Sequence, residues 1–196
     1  MRQQTTTRER LIEEAARLFH INGYSDTSVA EVLKEAKANS GSLYYFFKGK
    51  EDLLLAVIAH YRDALWPTIV QPAFERESDP IERIFAILDG YREFLQATGC
   101  AQGCPVGNLA IEIGDTSPQA RTEVAAVFDA WREWVRKCLE DAGERLPEEI
   151  DRGQLATLVL TIMEGGVMQA RAYRSLAPFD ASVAELRRYF GLLQSV

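Results

Sequence analysis

Residues 27–50 read TSVAEVLKEAKANSGSLYYFFKGK, a spacing that admits two short helices joined by a tight turn. Val29, Val32, Leu33 and Ala36 recur at i, i+3, i+4 and i+7, one face of an α-helix. Ser28 and Glu31 have the spacing of a capping box, in which the hydroxyl takes an orphan backbone N–H and the carboxylate reaches back. The pattern breaks at Lys37-Ala38-Asn39, and Asn39 is suited to cap a second helix running from Ser40 to about Phe47. On that helix Leu43 and Phe47 point inward, while Gly41, Ser42 and Tyr45 lie opposite, flanked by Ser40 and Tyr44. Small residues, hydroxyls and phenols followed by Lys48 and Lys50 suit a helix laid against a phosphate-lined groove.

The rest of the chain repeats the helical period and shows no strand-like alternation. Residues 6–22 place Leu11, Ala15, Leu18 and Phe19 on one face and end at Gly23, so they complete a three-helix head. Arg2 and Arg8, near its start, are positioned to reach phosphate or a minor groove. Residues 50–66 form a connecting helix that is expected to stop before Pro67, with 67–80 a loop or short broken helix. Further helices are expected over 81–98, 104–114, 118–142, 152–174 and 181–193. The fold class is therefore all-α: a helix-turn-helix head over 1–49, the connector, and a larger helical domain over 67–196.

The net charge of −7 argues against nucleic acid only until its distribution is read. Residues 1–50 carry 8 Lys+Arg against 6 Asp+Glu, so the head is mildly basic on an acidic body. Phosphate neutralisation is local, and such a head suffices for it. The first fourteen residues are polar, and the longest apolar run, 155–163, is too short to span a bilayer, so a soluble cytoplasmic protein with no membrane partner is expected. Three cysteines at 100, 104 and 138, without CxxC and far in sequence from His20 and His60, give no disulfide framework and no metal spacing. No cofactor motif and no nucleophile–base pairing is legible, and an enzyme is not expected.

Two features of the body stand out. In the stretch Gly103-Cys104-Pro105-Val106-Gly107-Asn108-Leu109, proline at a first helical position places Cys104 at the N-cap, where the helix dipole favours thiolate; a small buried structural cysteine is the alternative. Gly165-Gly166 within a helix costs about 1 kcal/mol per glycine relative to alanine, which close approach of another helix would explain. The facing residues Leu155, Leu158, Val159, Ile162, Gly166, Val183, Leu186 and Phe190 serve either as internal core or as a surface for a second copy. Candidate lining for an effector cavity is Trp66, Tyr91, Phe94, Phe128, Trp131, Trp134, Met163 and Met168, although aromatic stripes are more often core.

The order A-x-x-N-S-G-S-L-Y-Y-F-F-x-x-K-E, with Asn22-Gly23-Tyr24 before it and Glu51-Asp52-Leu53-Leu54-Leu55 after it, resembles the helix-turn-helix of TetR-type bacterial repressors over roughly the first third of the chain. It departs from that pattern at Lys37, usually glycine, and at Phe46, usually tyrosine or histidine. The resemblance implies a homodimer formed through the last two helices, a near-palindromic DNA operator, and release by a small-molecule or electrophile effector. DNA contacts would then come from Ser28, Asn39, Ser40, Gly41, Ser42, Tyr44, Tyr45, Lys48 and Lys50. The G-C-x-x-G-N-L stretch resembles one branch, some of whose members sense electrophiles; this implies Cys104 as sensing thiol and Cys100 as its resolving partner. A head that has lost DNA binding and serves as a protein-interaction module, or an enzyme acting on electrophiles, are the alternatives.

Overall fold

The computed structural model describes residues 6–113 and 117–195. Arg2 and the residues Asp115 and Thr116 lie outside the described residues. Among the described residues there are ten α-helices and no strand: α1 (Thr7–Asn22), α2 (Val29–Glu35), α3 (Ser40–Phe46), α4 (Lys50–Leu65), α5 (Gln71–Arg76), α6 (Pro80–Ala97), α7 (Pro105–Ile113), α8 (Pro118–Asp141), α9 (Arg152–Tyr173) and α10 (Ala177–Leu193). The chain divides into two compact units, residues 1–64 with 105–125, and residues 65–104 with 126–196. The first unit thus takes in α4 and α7 as well as the three-helix head.

In the first unit the inward residues are those that the helical period marks. Leu11, Ala15, Leu18 and Phe19 of α1, Val32 of α2, Leu43 and Phe47 around α3, and Leu53, Leu54, Val57 and Ile58 of α4 are all buried. The Tyr61 hydroxyl donates to the Ala16 carbonyl at 2.6 Å, which ties α4 to α1. Ser117 caps α8 by accepting from the Ala120 N–H at 3.2 Å and donates to Glu51 at 2.5 Å, with Pro118 at the first helical position.

Two helix boundaries differ from the sequence expectation, both at proline. The helix begun at Lys50 does not stop at Pro67; it passes through a π-helical turn, Trp66–Val70, and continues as α5 to Arg76. A wide turn accommodates the missing proline N–H without ending the helix. By length and mean hydropathy alone the continuous 27-residue stretch Lys50–Arg76 meets the criterion for crossing a bilayer. It nevertheless carries Arg62 and Asp63, and buries Leu53, Leu54, Val57 and Ile58 in the first unit. The last helix starts at Ala177, not near 181, because Pro178 is tolerated in its first turn, where an N–H has no helical partner.

The second unit is built on the antiparallel pair α9 and α10, against which α6 packs. A Cβ placed on Gly166 of α9 would meet Phe179 Cδ2 at 3.0 Å and Phe179 Cα at 3.4 Å, so this glycine lets α10 approach its own hairpin partner. Gly165 has no such neighbour within 4 Å. Phe190 stacks edge-on against Phe85 of α6 at 5.5 Å, and Asp180 pairs with Arg92 at 2.7 Å.

Candidate nucleic-acid interface

The outward face of the head is assembled by caps. Ser28 accepts from the Glu31 N–H at 3.2 Å while the Glu31 carboxylate accepts from the Ser28 N–H at 2.7 Å, the capping box expected at the start of α2. Asn39 accepts from the Ser42 N–H at 2.8 Å and starts α3. The turn between them has no glycine, and Lys37 itself adopts the left-handed conformation, φ 50°. Its N–H reaches the Lys34 carbonyl and the Ala38 N–H the Leu33 carbonyl, the two bonds of a Schellman ending.

With Leu43 and Phe47 buried, the rest of α3 faces outward. Tyr45 is 81% exposed and Tyr44 62%, and Ser40 and Gly41 are exposed beside them. Asn39, Gly41, Ser42, Tyr45 and Phe46 line a shallow depression with Thr7 of α1. Tyr45 and Phe46 stack edge to face at 4.9 Å, which orients the phenol that the sequence marks for base edges. Arg8 lies over the Phe47 ring at 5.5 Å. Lys48 and Ser28 are exposed at the margins of this face.

Lys50 is placed differently from the expectation of a phosphate contact. Its ammonium donates to the Tyr24 carbonyl at 2.5 Å and the Ser25 carbonyl at 3.3 Å, and sits 4.3 Å from the Tyr24 ring centre. Desolvation lowers its pKa, against the attraction of Glu112, Asp26 and Glu31. It is a strut of the α1–α2 turn because the sequence brings Lys50 back under Tyr24. Glu112, at the far end of α7, completes the strut and had no sequence signal. It accepts from the Tyr24 N–H at 2.8 Å and the Ser25 N–H at 2.5 Å. Burial pushes its carboxyl pKa up, but those N–H groups and Lys50 pull it down further, to a net lowering.

In the second unit the other candidates separate into groups. Leu155, Val159, Gly166, Leu186 and Phe190 are buried within the single chain and Val183 is half-buried, whereas Leu158 is exposed and Ile162 half-buried. Leu158, Ile162, Leu186 and Tyr189 line an open apolar groove between α9 and α10. Five of the eight residues marked for a second copy are therefore buried within the single chain, and the outward stripe is made by the others with Tyr189 and Leu192. Of the cavity candidates, Met168 is 61% exposed and Trp66 is exposed against Phe74 and Trp134, each 5.8 Å away. Met168 points outward because it lies on the outer stripe of α9. Tyr91, Trp131 and Met163 are buried, and Phe94 and Phe128 half-buried. All three cysteines are buried and unbridged. Burial pushes the Cys138 thiol up to about 11, so it is poorly nucleophilic at neutral pH.

A capped, outward-facing helix seated on a three-helix core defines a DNA-binding regulator of the helix-turn-helix class. The profile of bacterial regulatory proteins of the tetR family matches residues 11–57, and that of the transcriptional regulator LmrA/YxaF-like C-terminal domain matches residues 80–185. The uncharacterized HTH-type transcriptional regulator YxaF of Bacillus subtilis is 33% identical over 174 residues, covering 88% of each chain. The HTH-type transcriptional regulator LmrA of the same organism is 30% identical over 173 residues, covering 88% of this chain and 90% of LmrA. The crystal structure of regulatory protein TetR from Rhodobacter sphaeroides matches with a TM-score of 0.83 at 26% identity, over 94% of this chain and 97% of that one. The chain belongs to the TetR family of bacterial transcriptional regulators. The family and these relatives are regulators of transcription, not enzymes.

Proposed function

We propose that the protein is a dimeric, cytoplasmic repressor that binds a near-palindromic operator and is released by a small-molecule or thiol-reactive effector held in its body. The observation that carries the DNA reading is the exposure of Tyr44 and Tyr45 on α3 while Leu43 and Phe47, on the same helical turns, are fully inside. Ser40, Gly41, Ser42 and Tyr45 meet base edges or thymine methyls; Ser28, Tyr44 and Lys48 hold phosphates, and Asn39 fixes the start of the helix. The second copy docks on the outward stripe of α9 and α10, where Leu158, Ile162 and Tyr189 form an apolar groove beside Gly165. The effector domain is the second unit, with Cys104 as the thiol and Cys100 near it in sequence. Effector binding favours a body conformation incompatible with two simultaneous half-site contacts, at a coupling of about 1–3 kcal/mol.

The test is a mobility shift with the DNA flanking the protein's own gene. Affinity falls steeply between low and moderate salt, and Tyr45→Ala changes sequence preference whereas Lys48→Ala weakens all sequences alike. Affinity that is flat with salt, or a Tyr45→Ala protein with unaltered preference, rejects this docking mode.

A further inference from the structure

The shallow depression on the head, lined by Thr7 of α1 and by Asn39, Gly41, Ser42, Tyr45 and Phe46, sets a hydrogen-bond donor beside apolar surface. Several of its polar atoms already have partners. The Thr7 hydroxyl accepts from Arg10 at 3.2 Å. Asn39 Oδ1 accepts from the Ser42 N–H at 2.8 Å and from the Ser42 hydroxyl at 3.1 Å. A backbone N–H can meet only the oxygen end of a carboxamide, so the exposed Asn39 has its Nδ2 donors left to offer outward. A Cβ on Gly41 would meet Asn39 Oδ1 at 3.3 Å, which keeps position 41 bare beside it. Phe46 is 38% exposed, since Leu43 and Phe47 fill the core in its place, and Tyr45 holds its ring edge to face at 4.9 Å. It stands where the TetR-type pattern has tyrosine or histidine, so its ring brings neither hydroxyl nor imidazole to this surface.

None of the described residues that line the depression is charged, which does not suit a phosphate. Among the base edges of the major groove only thymine sets a methyl group beside an acceptor, its C5-methyl next to O4. Cytosine shows an amino donor without a methyl, and the purines show no methyl at all. We infer that the depression is a thymine-reading subsite, in which the Phe46 ring and the bare Gly41 take the C5-methyl while Asn39 Nδ2 donates to O4. Phe46 and Asn39 are then specificity-determining residues, and the two ends of the Asn39 carboxamide divide the work: the oxygen caps α3 and the nitrogen reads a base. The inference rests on the reading of α3 as the helix laid in the major groove, and the depression is continuous with that face through Ser42 and Tyr45.

The experiment selects duplexes from a random pool with the full-length protein. Affinity is then measured after replacing each thymine of the selected half-site in turn by deoxyuridine, which removes the methyl and keeps O4. One thymine per half-site is expected at which this replacement weakens binding about fourfold, the worth of one buried methyl group. In Phe46→Ala the same replacement costs less than about 1.5-fold, because the ring that covered the methyl is gone. Exchanging that T·A pair for 5-methylcytosine·G keeps the methyl but turns the acceptor into an amino donor, and weakens binding by the native protein about tenfold. Asn39→Asp keeps an oxygen to cap α3 and replaces the donor by an acceptor, so the preference for thymine over 5-methylcytosine reverses. A role confined to capping would leave that ratio unmoved. The absence of a deoxyuridine-sensitive thymine, an equal penalty in native and Phe46→Ala proteins, or an unchanged ratio in Asn39→Asp overturns the proposal. If Phe46→Ala fails to fold by thermal melting, the deoxyuridine scan of the native protein and the Asn39→Asp ratio decide. Protein that enriches no sequence refutes the repressor reading and this inference with it; protein that enriches a sequence indifferent to every thymine methyl refutes the inference alone.

Discussion

Lys37 gives a direct measure of the strain held in the helix-turn-helix. It occupies the left-handed region at φ 50° and closes α2 with two hydrogen bonds, Lys37 N–H to Lys34 O at 3.2 Å and Ala38 N–H to Leu33 O at 2.9 Å. A side chain in that region costs about 1–2 kcal/mol, and glycine, which avoids the clash, returns about 0.5–1 kcal/mol of it through the greater freedom of its unfolded chain. Lys37 is exposed and its side chain adds little packing. Lys37→Gly should therefore stabilise the head by about 0.5–1 kcal/mol, while Lys37→Ala, which keeps the Cβ, should stay within about 0.5 kcal/mol of the native protein. Both substitutions remove the charge, so their difference isolates the backbone. The order is the reverse of that in a helix interior, where alanine exceeds glycine by about 1 kcal/mol. Amide hydrogen exchange across residues 29–46 reads the local effect, since about 1.4 kcal/mol corresponds to a tenfold slower opening. Alanine equal to or better than glycine at this position would show that the turn is unstrained and would refute the reasoning.

Glu112→Gln removes a charged acceptor from two backbone N–H groups; discounted for partial exposure, it should destabilise the first unit by about 1–2 kcal/mol in urea melts. Its folded pKa lies below the unfolded value of 4.5, so this contribution is present above pH 4.5 and is lost as pH falls through the folded pKa; a native–mutant difference that grows on acidification would contradict the assignment. Gly166→Ala drives a methyl against Phe179 and should lower stability by about 0–2 kcal/mol after the gain in helix propensity. Gly165→Ala, with open space around it in one copy, should raise the stability of an isolated chain by up to about 1 kcal/mol and weaken self-association if the second copy closes there, as sedimentation would report. Cys138, buried and with its pKa raised to about 11, should resist iodoacetamide at pH 8 until the protein is unfolded.

What the sequence made legible was local. The Ser28–Glu31 box, the Asn39 cap, the inward pair Leu43 and Phe47 and the closure of α1 by Gly23 all depend on residues within one or two helical turns of each other, and each appears where the spacing places it. Local rules also misread two prolines, because a π-helical turn absorbs Pro67 and a first helical turn accepts Pro178. Contacts across long separations left no trace in the pattern. Glu112 meets Tyr24 and Ser25 from 88 and 87 residues away, and Lys50 donates to the carbonyls of the same two residues. The two neighbouring glycines looked equivalent in one dimension, yet only Gly166 faces Phe179.

The support that Glu112 lends to the Tyr24–Ser25 turn means that the head with all its turn contacts intact is not a contiguous piece of chain. A fragment cut at residue 64 keeps the whole of α1 to α3 but bares two amide hydrogens and leaves the Lys50 strut without its anionic counterpart. A head grafted onto another scaffold would keep this support only if the new host supplied a carboxylate at the same spot.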